Sequence, residues 1–95
     1  VDYINALRQR VGASTITAGD VNLDFILDER GRELYWECHR RTDLIRHNKL
    51  TGSNYIWTWK GNIMDGRSTD AKYNLFPLPA QDVNTNPNLS QNPNY

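Results

Sequence analysis

The chain has 95 residues, with eleven Lys/Arg against eleven Asp/Glu and a mean hydropathy of −0.74. That length allows one domain at most, burying roughly 60–65% of its unfolded surface. The balanced charge excludes a general electrostatic pull toward nucleic acid or anionic lipid, and a single cysteine, Cys38, excludes an internal disulfide or a Cys-based zinc site.

The chain opens "VDYINALRQRVG", without an initiating Met and already in helical register. It reads as a piece of something longer, so missing targeting signals carry no information about the parent. Ile4, Leu7 and Val11 recur at helical spacing, which predicts a helix over about 2–11. Gly12 suits the left-handed position that ends such a helix, and Arg8 and Arg10 sit near its negative dipole end. "ASTITAGD" is a polar connector in which Thr17 or Asp20 is expected to cap the next helix.

A second helical pattern runs over about 22–37. Leu23, Leu27, Leu34 and Cys38 fall on one stripe, which Ile45 continues, and Phe25 and Trp36 lie on nearly the opposite side. Apolar residues on two sides imply neighbours on two sides. Gly31 weakens this helix by about 1 kcal/mol relative to Ala. A break is expected between Cys38 and Arg41, with Thr42-Asp43 as candidate caps and a third helix over about 40–48. Cys38 reads as a small buried hydrophobe.

Beyond Asn48 the periodicity changes. Thr51 to Asn54 is a turn. Tyr55, Trp57 and Trp59 alternate with Ile56, Thr58 and Lys60, which predicts an extended segment with three rings on one side. "YNLFPLPAQDV" is extended through Leu75-Phe76, and Pro79 is placed to open a one-turn helix through Val83. The Asn-Pro pairs after it keep the tail out of helix.

The charged stretch "DERGRELYWECHRRTDLIRH" invites three functional readings. Glu33 and Glu37, at i and i+4, could flank a glycosidic bond as paired carboxylates. Most i, i+4 glutamates meet that spacing, however, and flanking arginines would keep both ionised. Glu37, His39 and Asp43 could hold a metal, but residues two apart point to different sides of a helix. Arg30, Arg32, Arg40, Arg41 and Arg46 could face nucleic acid, but they spread round the helix among acids. A structural ion-pair network of Glu29, Arg30, Glu33, Glu37, Arg40, Arg41, Asp43 and Arg46 explains the pattern better, with Arg40 or Arg41 expected to satisfy a half-buried Glu37. No metal and no cofactor is expected. The aromatic ladder of Tyr55, Trp57 and Trp59 is the remaining ligand candidate, because flat rings in a row can stack sugar rings, with Asn54, Asn62 and Lys60 as polar neighbours. Core packing of those rings is the weightier alternative.

Two long motifs carry a family resemblance. Ile26-Leu27-Asp28-Glu29-Arg30, Arg32-Glu33-Leu34, Glu37, His39-Arg40-Arg41 and Asp43-Leu44-Ile45-Arg46 form the first. Leu75-Phe76-Pro77-Leu78-Pro79, Asn86-Pro87-Asn88-Leu89, Gln91-Asn92-Pro93 and Tyr95 form the second. In this order they closely resemble the C-terminal region of the SusD/RagB family. The resemblance implies a mainly α chain, the C-terminal fragment of a tetratricopeptide-like helical fold with long irregular or extended segments. It implies a non-enzymatic outer-membrane lipoprotein that captures glycans at the cell surface and serves a TonB-dependent SusC-like transporter, anchored by an N-terminal lipid absent from this chain. Nucleic acid is not an implied partner. A protein-interaction module without sugar binding is the alternative, and a glycoside hydrolase using Glu33 and Glu37 a weaker one. The chain departs from the family pattern at Gly31, where a helix former is usual, and at Cys38, where Gly often follows the Glu.

Overall fold

A computed structural model describes all 95 residues. The chain is mainly helical. Its α-helices are α1 (Asp2–Arg10), α2 (Leu23–Glu33), α3 (Arg40–Arg46) and α4 (Ala80–Thr85), joined by three 3₁₀ turns and long irregular segments. Pairing of extended backbone is limited to one antiparallel bridge between Gly52 and Thr69. Two compact units form, Val1–Asp43 and Leu44–Tyr95.

In the first unit α1 ends where its apolar spacing does. Gly12 is left-handed (φ 72°), its N–H donates to the Gln9 carbonyl at 3.0 Å, and the Ala13 N–H reaches back to Arg8 at 2.9 Å. This paired closure satisfies carbonyls that a helix end otherwise leaves open. The connector is then pinned to α1 by one amide. Asn5 Nδ2 donates to the Ile16 carbonyl at 2.9 Å while its Oδ1 accepts the Ile16 N–H at 2.8 Å.

The cap of α2 differs from the expectation. Asn22 supplies it, its Oδ1 accepting the Phe25 N–H at 2.8 Å. Thr17 and Asp20 instead close on each other around a 3₁₀ turn, Ala18–Asp20, where the Asp20 carboxylate accepts both the Thr17 N–H and hydroxyl at 2.8 Å. The Thr17 backbone bond, with the hydroxyl after it, holds the Asp20 pKa below its ordinary value. Asn22 stands next to the first helical residue, so its amide reaches the open amides of the first turn.

The other end of α2 also departs from the apolar pattern. The helix stops at Glu33, four residues short of the predicted end. Trp36 and Cys38 adopt left-handed backbone, φ 68° and 61°, which no helix can contain. The stripe therefore breaks up: Leu27 is fully buried, whereas Leu23 is 70% exposed and Trp36 85% exposed. Cys38 is exposed, not a buried hydrophobe. Glycine would enter this region without steric cost. Gly31 has a packing reason too. A Cβ at Gly31 would lie 2.8 Å from Arg40 Nη1, and that same nitrogen donates to the Leu27 carbonyl at 2.6 Å. The guanidinium lies against the helix because the glycine leaves room.

α3 begins at Arg40, before the Thr42-Asp43 pair expected to cap it. Asp43 falls in its first turn, where a carboxylate favours the dipole.

The second unit is organised around a lysine. Lys60 is 2% exposed, and its ammonium donates to the carbonyls of Tyr55 at 2.6 Å, Gly52 at 2.8 Å and Lys49 at 3.5 Å. The Trp57 ring lies 4.7 Å from the same nitrogen. An ammonium offers three donors, and here all three meet irregular backbone. Burial pushes the Lys60 pKa down. Farther on, the tail folds back on the segment before α4. Gln91 Oε1 accepts the Leu78 N–H at 2.8 Å and its Nε2 donates to the Leu78 carbonyl at 2.9 Å. Asn92 Nδ2 donates to Phe76 at 2.6 Å, and the Tyr95 hydroxyl donates to Leu75 at 2.8 Å. α4 starts after Pro79, as Pro at a helix start allows.

Lys60→Met keeps the aliphatic stem but strands the carbonyls of Gly52 and Tyr55, and is expected to cost about 1–3 kcal/mol in chemical denaturation. Wild-type stability in the substitute would show that water already serves those carbonyls. Cys38→Gly is expected to raise stability by about 1 kcal/mol by removing the left-handed penalty, a gain that thermal unfolding of the two proteins would register.

Candidate functional site

The charged stretch resolves into pairs. Glu29 Oε2 accepts Arg32 Nη2 at 2.6 Å and Arg8 Nη1 at 3.0 Å, so α2 is joined both to itself and to α1. Glu33 takes Arg10 Nη2 at 2.6 Å. Arg30 Nε donates to the buried carboxylate of Asp43 at 2.9 Å. Arg40 Nη2 lies 3.6 Å from Asp28. Beneath this layer Ile4 and Leu7 of α1 meet Ile26 and Leu34 around a hollow of about 220 Å³, with Glu29 and Glu33 at its rim. Desolvation would raise the Glu29 pKa, but the hydrogen bonds and charges of Arg32 and Arg8 outweigh it and hold the pKa below the usual glutamate value.

Glu37 does not extend this row. It lies past the end of α2 and is exposed, not half-buried. The carboxylate pair expected from the spacing is thereby separated: Glu33 is ion-paired on the helix, Glu37 sits in the following turn. No group of three His, Cys, Asp or Glu side chains converges as a metal site would require.

The aromatic segment is not extended either. Residues 53–55 bend and 58–59 turn, and Trp59 is left-handed (φ 71°), a conformation unusual for a bulky residue. The three rings accordingly do not form one flat row. Tyr55 and Trp57 are half-buried, their centroids 6.0 Å apart with planes tilted by 48°. Trp59 is 61% exposed. Lys60, expected to offer a polar edge to a ligand, turns inward to the carbonyls described above. Gly66 explains part of this geometry. A Cβ there would meet the Trp57 carbonyl, so the loop backbone can close on Trp57 only at a glycine.

Two open grooves went unseen in the sequence. In the first unit Arg30, Gly31, Leu34, Tyr35, Trp36, Cys38 and Arg40 line a hollow of about 440 Å³. Its Tyr35 and Trp36 rings stand edge to face, 5.9 Å between centroids. In the second unit Gly61, Asn62, Arg67, Ser68, Thr69, Asp70 and Tyr73 line another of about 570 Å³. The left-handed turn at Trp36 creates the first, and a helical reading of residues 34–37 hides it. The second gathers loop residues that share no periodicity.

The match to known proteins is decisive at the family level. The family model described as the SusD family matches residues 1–95. The chain belongs to the SusD family. It is 42% identical to "Starch-binding protein SusD" of Bacteroides thetaiotaomicron over 97% of its own length. It is 37% identical to "SusD-like protein P25" of Formosa agariphila over 92% of its length. The chain spans 16% and 18% of the lengths of these two relatives. The helical architecture agrees with the helical, tetratricopeptide-like fold of the SusD family.

A contrast within the glutamate row of this SusD-family chain is testable. Glu29→Gln is expected to cost about 1 kcal/mol at neutral pH, the loss moderated by the solvent around Arg32. Because the folded pKa of Glu29 is depressed, its contribution is complete above the unfolded pKa and disappears as pH falls through the folded one. Unfolding curves of wild type and Glu29→Gln should therefore converge as pH falls below the ordinary glutamate range. Glu37→Ala, at an exposed position, should stay within about 0.5 kcal/mol of wild type at neutral pH.

Proposed function

We infer that this chain is the C-terminal part of a cell-surface glycan-binding lipoprotein, which captures oligosaccharides and hands them to a SusC-like TonB-dependent transporter in the outer membrane. One observation carries the reading: a family match over residues 1–95 with 42% identity to a relative named as starch-binding. Within such a protein these residues are mainly structural. Glu29, Arg30, Glu33, Arg40, Arg41, Asp43 and Arg46 serve the helices, and membrane attachment belongs to a lipid at the protein's own N-terminus. Among Tyr55, Trp57 and Trp59, the exposed Trp59 is the ring best placed to meet a sugar, with the half-buried Tyr55 and Trp57 supporting its loop.

The protein is read as a binder, not an enzyme. Glu33 is engaged by Arg10 at 2.6 Å, and Glu37 lies past the end of its helix, so the two carboxylates do not face one cleft. A second reading, an interaction module without sugar affinity, draws on the exposed Tyr3, Leu23, Tyr35 and Trp36.

Isothermal titration of the full-length protein against maltooligosaccharides and other neutral oligosaccharides should show saturable binding without release of reducing ends. Trp59→Ala should weaken it by about tenfold, and Glu33→Gln should leave it unchanged. Turnover abolished by Glu33→Gln would establish the hydrolase instead. Transporter copurification with no sugar affinity at all would establish the interaction module.

A further inference from the structure

The groove of the second unit is bounded by fixed backbone. Its walls are tied down by backbone bonds: Arg67 N–H to the Lys60 carbonyl at 3.0 Å, Gly52 N–H to Thr69 at 2.9 Å, and Tyr73 N–H to Asp70 at 3.2 Å. Two side chains are oriented as well. Arg67 Nε donates to the Gly61 carbonyl at 3.0 Å, and Asp70 Oδ1 accepts the Lys72 N–H at 2.8 Å. Gly61 is required beneath Arg67, since a Cβ there would lie 2.6 Å from Arg67 Cγ. A site whose walls are already fixed spends little on ordering when a ligand arrives.

Its volume, about 570 Å³, falls in the range of small-molecule sites. Its lining is balanced. One guanidinium and one carboxylate balance within the lining, and the Lys72 ammonium, not part of it, lies 5.3 Å from the Tyr73 ring. Asn62, Ser68 and Thr69 both donate and accept, and Arg67 and Asp70 add one-way partners. Tyr73, with its residue 49% exposed, adds a ring. An apolar ligand would dehydrate these polar groups without replacing their hydrogen bonds. The match is a ring with an apolar face and a rim of hydroxyls that donate and accept.

We propose that this groove is a subsite for one neutral pyranose unit of an oligosaccharide, with Tyr73 as the stacking ring and Asn62, Arg67 and Asp70 as hydroxyl partners. The proposal rests on the glycan-binding reading and adds to it a place on this chain and a charge class of ligand.

The full-length protein would be titrated with neutral malto-, cello-, xylo- and manno-oligosaccharides and with an oligouronate. Tyr73→Ala, Tyr73→Phe and Ser68→Trp would be compared, the last filling the groove from an exposed position and so sparing the fold. Expected is neutral-oligosaccharide binding that falls about tenfold in Tyr73→Ala and Ser68→Trp and persists in Tyr73→Phe. Wild-type affinity in both Tyr73→Ala and Ser68→Trp would overturn the subsite and leave the glycan-binding reading intact. Preference for the oligouronate would overturn the neutral class. Absence of any sugar binding by the wild type would remove the general reading and the subsite with it.

Discussion

Two apolar side chains, Leu27 and Leu44, account for the deeply buried core of this chain. The long irregular segments must therefore be held by polar means, and side chains closing on backbone groups provide them. Lys60 gathers three carbonyls, Asn5 brackets Ile16, and Gln91 brackets Leu78. Each such bond contributes about 1 kcal/mol net, but a buried backbone group left unpaired costs more. The clamps thus act mainly by preventing that loss. They also fix loops in single conformations, which is what a surface displaying rings and hydroxyls needs.

The charges follow the same logic at the level of helices. Glu29 joins α1 to α2 through Arg8, and Arg30 reaches the buried Asp43. Exposed ion pairs contribute little, but a buried carboxylate without its guanidinium is costly. Part of the most recognisable stretch, Glu29, Arg30 and Asp43, thus serves to hold the fold. The residues of the groove at Asn62 to Tyr73 carry no such pattern.

The helical class was readable because α1, α2 and α3 carry apolar residues at helical spacing. The end of α2 was not readable, since Leu34 and Cys38 continue the spacing while Trp36 and Cys38 take left-handed backbone. Neither residue type signals that conformation. The aromatic alternation at 55–59 failed similarly, because two periods of a pattern cannot outvote a turn at Trp59 that Lys60 anchors from below. A lysine reads as solvated in any composition, so its burial is visible only once three carbonyls are seen around it. The glutamate row was legible as charge balance, but partners such as Arg10 lie more than twenty positions away, beyond the reach of local spacing.

The clamp at Leu78 has one more consequence. Residues 75–79 are an apolar extended run, the kind of backbone that recruits a strand from another molecule. Here Pro77 and Pro79 carry no N–H at all, and both polar groups of the Leu78 peptide are already occupied by Gln91. An incoming strand would find no ladder to pair with. The run can expose Leu75 and Phe76 without becoming a template for aggregation.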